Sequence, residues 1–195
     1  VVIFFAFLIY IPVNIWRMVF QGKYRSHFAQ RFGYLGKDEA EKLTGRPVIW
    51  MHAVSVGETV AASPVAAELK RRYPFSTLVF TTVTDTGQAV ARKVIKGADV
   101  FSYLPIDLPW SVRRFVKTVK PDILVLTESE FWPNVIRITK QGGGRVILAN
   151  GRISDRSFKR YRYLGPIWRQ TLSNIDRFGM QSDQDVDRIL TLGAD

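Results

Sequence analysis

Glu58 and Glu128 are the residues whose type and placement best suit chemistry. Glu58 closes the stretch Trp50-Met-His-Ala-Val-Ser-Val-Gly-Glu58, and Glu128 opens Glu128-Ser-Glu-Phe-Trp-Pro-Asn134. The apolar run that starts at Pro47 reads as a buried strand and stops at Gly57, which puts Glu58 in the first turn of a helix. Strand-to-helix turns are where open α/β sheets place ligands. The helix dipole favours negative charge there, so a carboxylate at that rim could accept a proton from a substrate. The same position also suits a Glu that only stabilises the start of its helix. Glu130 follows Glu128 by two residues and shares its face if the strand continues. Either residue could instead cap the helix that Pro133 opens. Trp132, beside Glu130, is placed to line a cleft.

Other chemistries find little support. The chain has no cysteine and two histidines, His27 and His52, so it offers no disulfide, no thiolate ligand and no zinc site without carboxylate help. Ser55 and His52 lie three apart at a strand end, where they would not face each other well, and no G-x-S-x-G elbow is present. The dinucleotide and P-loop fingerprints are missing, and Gly142-Gly143-Gly144 reads as a helix-to-strand turn. No resident metal or cofactor is therefore expected. Lys and Arg number 28 against 17 acids, a net charge of +11, which points to an anionic partner. Arg152, Arg156, Lys159, Arg160, Arg162 and Arg169 stand against the single acid Asp155. That cationic face suits phosphates or an anionic membrane, or is simply a solvated helix face. An RNA reader would interleave aromatics with basic residues on a sheet face, and no such pattern is visible, so nucleic acid is not an expected partner.

The elements that must position these residues alternate from Pro47 onward. Val48–Ala53, Thr77–Thr82, Val100–Leu104, Ile123–Thr127 and Val146–Ala149 are short apolar runs of the kind buried on both faces of a parallel sheet. Helices are predicted over Ala61–Arg72, Thr86–Ile95, Pro109–Val119, Pro133–Lys140, Phe158–Ser173 and Gln184–Leu192. The third is the clearest, with Val112, Phe115, Val116 and Val119 on one stripe, Pro109 at its start and Asp107 as its expected cap. Alternation of this kind predicts an α/β, Rossmann-like parallel sheet. In the order 3-2-1-4-5 the first and fourth strands are neighbours at the switch point, which would bring Glu58 and Glu128 to one crevice. Ahead of the sheet, residues 1 to 16 carry no charge and would span roughly 24 Å as a helix, followed by Arg17, Lys23, Arg25 and Arg31. Residues 1–20 are therefore expected to be a membrane-anchor helix, spanning or interfacial, with the basic flank on the cytoplasmic side. Residues 21–46 form a basic juxtamembrane connector and 47–195 the Rossmann-like domain. The chain starts at Val1 rather than Met and stops at Asp195 within a helix-to-strand pattern, so a piece of a longer protein is expected.

His52-Ala-Val-Ser-Val-Gly-Glu58 together with Glu128-Ser-Glu-Phe-Trp-Pro-Asn134 resembles the 3-deoxy-D-manno-octulosonic acid (Kdo) transferases, glycosyltransferases of lipid A in Gram-negative bacteria. Thr81-Thr-Val-Thr-Asp-Thr-Gly87, Tyr103-Leu-Pro-Ile-Asp-Leu-Pro109, Asn150-Gly-Arg-Ile-Ser-Asp-Arg-Ser157 and Arg31-Phe-Gly33 agree in order. Ser129 stands where Thr is usual, Phe131 for Leu and Gly151 for Ala. The resemblance implies a GT-B enzyme of two Rossmann-like domains, metal-independent and inverting. Its donor is CMP-Kdo and its acceptor the lipid A precursor, on the cytoplasmic face of the inner membrane. This chain would be the N-terminal, acceptor-binding half. The resemblance makes Glu58 the general base, Glu128 the transition-state stabiliser and Glu130 a supporting carboxylate. Ser55, Gly57, Trp132, Asn134, Arg152 and Arg156 are the residues expected to bind the acceptor. The competing readings are another GT-B nucleotide-sugar enzyme of envelope precursors and a membrane-tethered basic nucleic-acid module.

Overall fold

The computed structural model describes residues 28–129, 131–163 and 165–194. The expected anchor, the connector up to residue 27 and Glu130 lie outside the described residues. Among those described, no helix is long and apolar enough to cross a membrane. Six parallel strands form one sheet in the order β3-β2-β1-β4-β5-β6. They are β1 Val48–His52, β2 Thr77–Thr82, β3 Val100–Tyr103, β4 Ile123–Thr127, β5 Arg145–Gly151 and β6 Arg177–Met180. Ahead of them lie two short helices, α1 Phe28–Arg31 and α2 Lys37–Glu41. The crossovers are α3 Val56–Arg72, α4 Asp85–Val94, α5 Pro109–Val119 and α6 Pro133–Gln141, then α7 Asp155–Tyr163 with α8 Gly165–Leu172, and α9 Asp183–Thr191 closes the series.

Successive residues of each strand point to opposite faces, so β1 feeds two cores. Val48 and Trp50 join a cluster with Val112, Phe115 and Val119 of α5, Ile136 of α6, Trp168 and Leu172 of α8 and Ile189 of α9. Ile49 and Met51 join the other cluster, where Ala62 and Ala66 of α3 and Ala91 of α4 keep the helices close to the sheet. The second face is thinner: its cluster draws on β1, β2 and Val125 of β4, with Ala149 of β5 at its border.

Three expectations change. The helix predicted from Ala61 starts at Val56, because Ser55 caps it. The single helix predicted over Phe158–Ser173 is two, since Pro166 supplies no N–H and Gly165 takes a positive φ of 26°. A sixth strand, Arg177–Met180, pairs with β5, although its mixed residues carry no apolar run. The α1 segment is bound tightly to the domain. Arg31 O accepts from Ile106 N–H at 2.8 Å and from Ser111 Oγ at 3.2 Å, and Arg114 Nη1 donates to Phe32 O at 3.0 Å. A Cβ on Gly33 would lie 2.1 Å from Ser111 O, so only glycine permits this approach.

Candidate active site

Ser55 starts the site. Its extended backbone (φ −105°, ψ 168°) ends the β1 loop, and its Oγ accepts from Glu58 N–H at 3.2 Å. Glu58 returns the bond: Oε1 accepts from Ser55 N–H at 3.2 Å and Oε2 from Val54 N–H at 2.7 Å. This capping box satisfies orphan donors at both positions and fixes the carboxylate, which is only 7% exposed. Each oxygen of the carboxylate can accept two bonds and here accepts one from the backbone. A lone pair on each is left for an incoming hydroxyl. The helix-start role expected for Glu58 is therefore present, and it aims the carboxylate without exhausting it. Gly57 and Ser55 lie exposed on the same turn.

β4 runs beside β1, with Met51 opposite Val125 and His52 opposite Leu126. Neighbouring strands lie about 4.8 Å apart, so the two strand ends share one rim. Thr127 Oγ1 donates to His52 O at 2.7 Å and ties them together. Glu128 then takes φ 59°, a left-handed conformation that costs a non-glycine residue roughly 1–3 kcal/mol. Its N–H donates to Ala149 O at 2.9 Å. Ser129 and Arg152 exchange bonds: Arg152 N–H donates to Ser129 Oγ at 2.8 Å, and that hydroxyl donates to Arg152 O. Burial, then the negative charge of Glu58, hold the Glu128 carboxyl above its ordinary range, while Arg152 draws it down. Glu128 thus feels both Glu58 and Arg152 at the β1–β4–β5 rim.

His52 occupies the floor. Its ring is fully buried, and Nδ1 lies 3.0 Å from both Thr81 O and Thr81 Oγ1. A carbonyl oxygen only accepts, so Nδ1 carries the proton. Burial pushes its pKa down to about 4, against the raising effect of the Thr81 bond, and the ring is neutral. Its Nε2 has no hydrogen-bond partner among the described residues, and neither does Nε1 of Trp132, whose ring meets His52 edge-on at 6.3 Å. Ser55 and His52 form no hydrolase pair, because one hydroxyl caps α3 and the imidazole turns to Thr81.

Asp107 corrects an expectation. It does not cap α5, whose N-cap is Leu108 with no side-chain bond. Its carboxylate instead accepts from Asn134 N–H at 3.2 Å and Val135 N–H at 2.9 Å, capping α6 across the sheet end. Pro109 and Pro133 both open helices here, and neither supplies an N–H. Capping by Asp107 leaves Glu128 without the helix-cap role considered for it. The Asn134 amide is committed as well, donating to Asp107 O at 2.8 Å and accepting from Arg137 at 2.9 Å. Trp132 is half-buried as the N-cap of α6. Arg156 is exposed on the first turn of α7, on the basic face.

Fold and site define a Rossmann-like α/β domain with two carboxylates at the strand ends of its switch point. The family model described as 3-deoxy-D-manno-octulosonic-acid transferase (kdotransferase) matches residues 26–195. A 3-deoxy-D-manno-octulosonic acid transferase of Haemophilus influenzae is 34% identical over 171 residues, 88% of this chain and 39% of that protein. One of Chlamydophila psittaci is 33% identical over 192 residues, 98% of this chain and 44% of the relative. A bifunctional glycosyltransferase/methyltransferase of Fusobacterium nucleatum is 33% identical over 188 residues, 94% of this chain and 28% of that protein. The chain belongs to the 3-deoxy-D-manno-octulosonic-acid transferase family. It spans under half the length of these relatives.

Proposed function

We propose that this chain forms the acceptor-binding half of an inverting, GT-B glycosyltransferase that moves Kdo from CMP-Kdo to a lipid A precursor. The observation that carries the reading is the adjacency of β1 and β4, which brings Glu58 and Glu128 to one rim in a member of this family. Glu58 takes the proton of the acceptor hydroxyl as that oxygen attacks the anomeric carbon. The bond from that carbon to the CMP phosphate oxygen breaks on the opposite face, CMP leaves with the electron pair, and configuration inverts. Glu128 stabilises the positive charge that develops on the sugar ring, an effect strongest where water is excluded. Glu130 supports this pair. Ser55, Gly57, Trp132 and Asn134 line the acceptor side, and Arg152 and Arg156 meet its phosphates.

No metal or organic cofactor enters this chemistry. CMP-Kdo is held mainly by a second domain, in keeping with the greater length of the relatives. The enzyme works on the cytoplasmic face of a bacterial inner membrane, with residues 1–20 as its anchor and the +11 charge facing anionic lipid. Incubation of the full-length protein with a tetra-acylated lipid A precursor tests this. CMP-Kdo is expected to add the mass of Kdo to the lipid, while UDP-sugars add nothing. Transfer from a UDP-sugar with CMP-Kdo inert would overturn the reading.

A further inference from the structure

Among the described residues, three other than glycine take a positive φ: Lys120 at 48°, Glu128 at 59° and Asn150 at 58°. Lys120 ends α5, where a left-handed residue is a common helix stop. The other two stand together. β4 and β5 run parallel with Thr127 opposite Ala149, so Glu128 and Asn150 are the next residue of each strand, about 4.8 Å apart. Both chains turn off the sheet through nearly the same φ, which carries both side chains to one rim. β5 also bulges here: Leu148 faces Phe178 but Gly151 faces Met180, one residue more on β5 than on β6. Bulges beside active sites re-aim side chains. The backbone around Asn150 is held on both flanks. Glu128 N–H donates to Ala149 O at 2.9 Å, Gln181 Nε2 to Asn150 O at 3.1 Å and Gln181 N–H to Gly151 O at 2.9 Å. The side chain is not held. Asn150 is exposed, and its amide group makes no hydrogen bond among the described residues. An Asn that serves only its own turn usually bonds the backbone nearby, and this one does not.

Within the transferase reading above, on which it rests, we propose a further acceptor contact. The Asn150 amide binds a sugar hydroxyl lying between the reacting hydroxyl at Glu58 and the phosphates met by Arg152. Strand order sets that sequence: β1 delivers Glu58, β4 delivers Glu128 and β5 delivers Asn150, with Arg152 just beyond it. The chemistry of the rim selects a hydroxyl. Ionised carboxylates only accept hydrogen bonds, and a guanidinium only donates them. The Ser55 and Ser129 hydroxyls are already engaged, one with the start of α3 and the other with the Arg152 backbone. The Asn150 amide donates and accepts at once, as a sugar hydroxyl does. A fixed backbone under a free amide also keeps the ordering cost of binding small.

The Kd of the full-length protein for a tetra-acylated lipid A precursor in detergent micelles, with no donor present, tests this beside Kdo transfer by the wild type. Asn150→Gly suits the left-handed φ and removes the amide. It is expected to weaken acceptor binding about three- to tenfold with the midpoint of thermal unfolding unchanged. Asn150→Asp also tolerates that φ but loses both N–H donors, and is expected to weaken binding at least as much. Lys120→Gly makes the same kind of exchange at the end of α5 and is expected to bind as wild type. A wild-type Kd in Asn150→Gly would overturn the assignment, as would equal weakening by Lys120→Gly or a wild-type protein that does not bind the precursor. A wild-type protein that binds the precursor but adds no Kdo from CMP-Kdo would count against the transferase reading instead, with the Asn150 contact judged by the Kd values alone.

Discussion

At the scale of single residues, the site consists of side chains with two duties. Glu58 was legible as a helix-start carboxylate from its place after Gly57, but its bonds to Val54 and Ser55 depend on a backbone conformation that spacing alone does not reveal. Glu128 was legible as its partner only through strand order. Its left-handed φ had no sequence signal, because such a position usually selects Gly or Asn. Coupling between the two makes a direct prediction. In Glu58→Gln the Glu128 carboxyl, followed by its 13C shift, titrates at lower pH than in wild type, and in Arg152→Ala it titrates at higher pH. No change in either variant would separate the two groups. His52 gives a second. Its pKa falls from 6.5 in the unfolded chain to about 4 in the fold. Between those values the unfolded state binds the extra proton, so stability drops as pH falls through that window, by about 3 kcal/mol in full. Asp122, Asp176 and Asp185, held below the ordinary carboxylate range, lose their contribution only at lower pH. Urea unfolding across pH should therefore show two acid limbs, and His52→Asn should flatten the upper one alone.

At the scale of elements, capping decides where the chemistry stands. Ser55 and Glu58 begin α3 and hold its first turn against the end of β1. Losing the Ser55 hydroxyl in Ser55→Ala should cost about 1 kcal/mol of stability, read by thermal unfolding. Asp107 does the equivalent for α6 from another loop, and that long-range bond is why sequence periodicity assigned it to its own helix. Asp107→Ala leaves two α6 N–H groups without their carboxylate and should cost about 1–3 kcal/mol. The same change loosens the turn that carries Trp132, visible as a shift in indole fluorescence. α5 was the most legible helix, because Val112, Phe115 and Val119 are its buried stripe and Pro109 marks its start. β6 was the least, because its residues alternate between exposed and half-buried and it is held by pairing with β5.

For the whole molecule, the sheet order sets what is possible. The reversal between β1 and β4 brings two distant acidic segments to one rim, and it is to that rim that the proposed reaction is assigned. Alternating apolar runs made this arrangement readable, whereas the thinner second face was not, because which helix covers which strand is set by the topology. The central claim is that the Glu58 carboxylate removes the acceptor proton. Single-turnover Kdo transfer by the full-length Glu58→Gln variant tests it most directly, since Gln removes the base and keeps one oxygen for the backbone N–H groups of Val54 and Ser55. The account predicts a rate lowered by about 10²–10⁴, with stability lowered by about 1–3 kcal/mol because one backbone N–H loses its acceptor, and the variant still folded by circular dichroism. Wild-type transfer rates in that variant would contradict it.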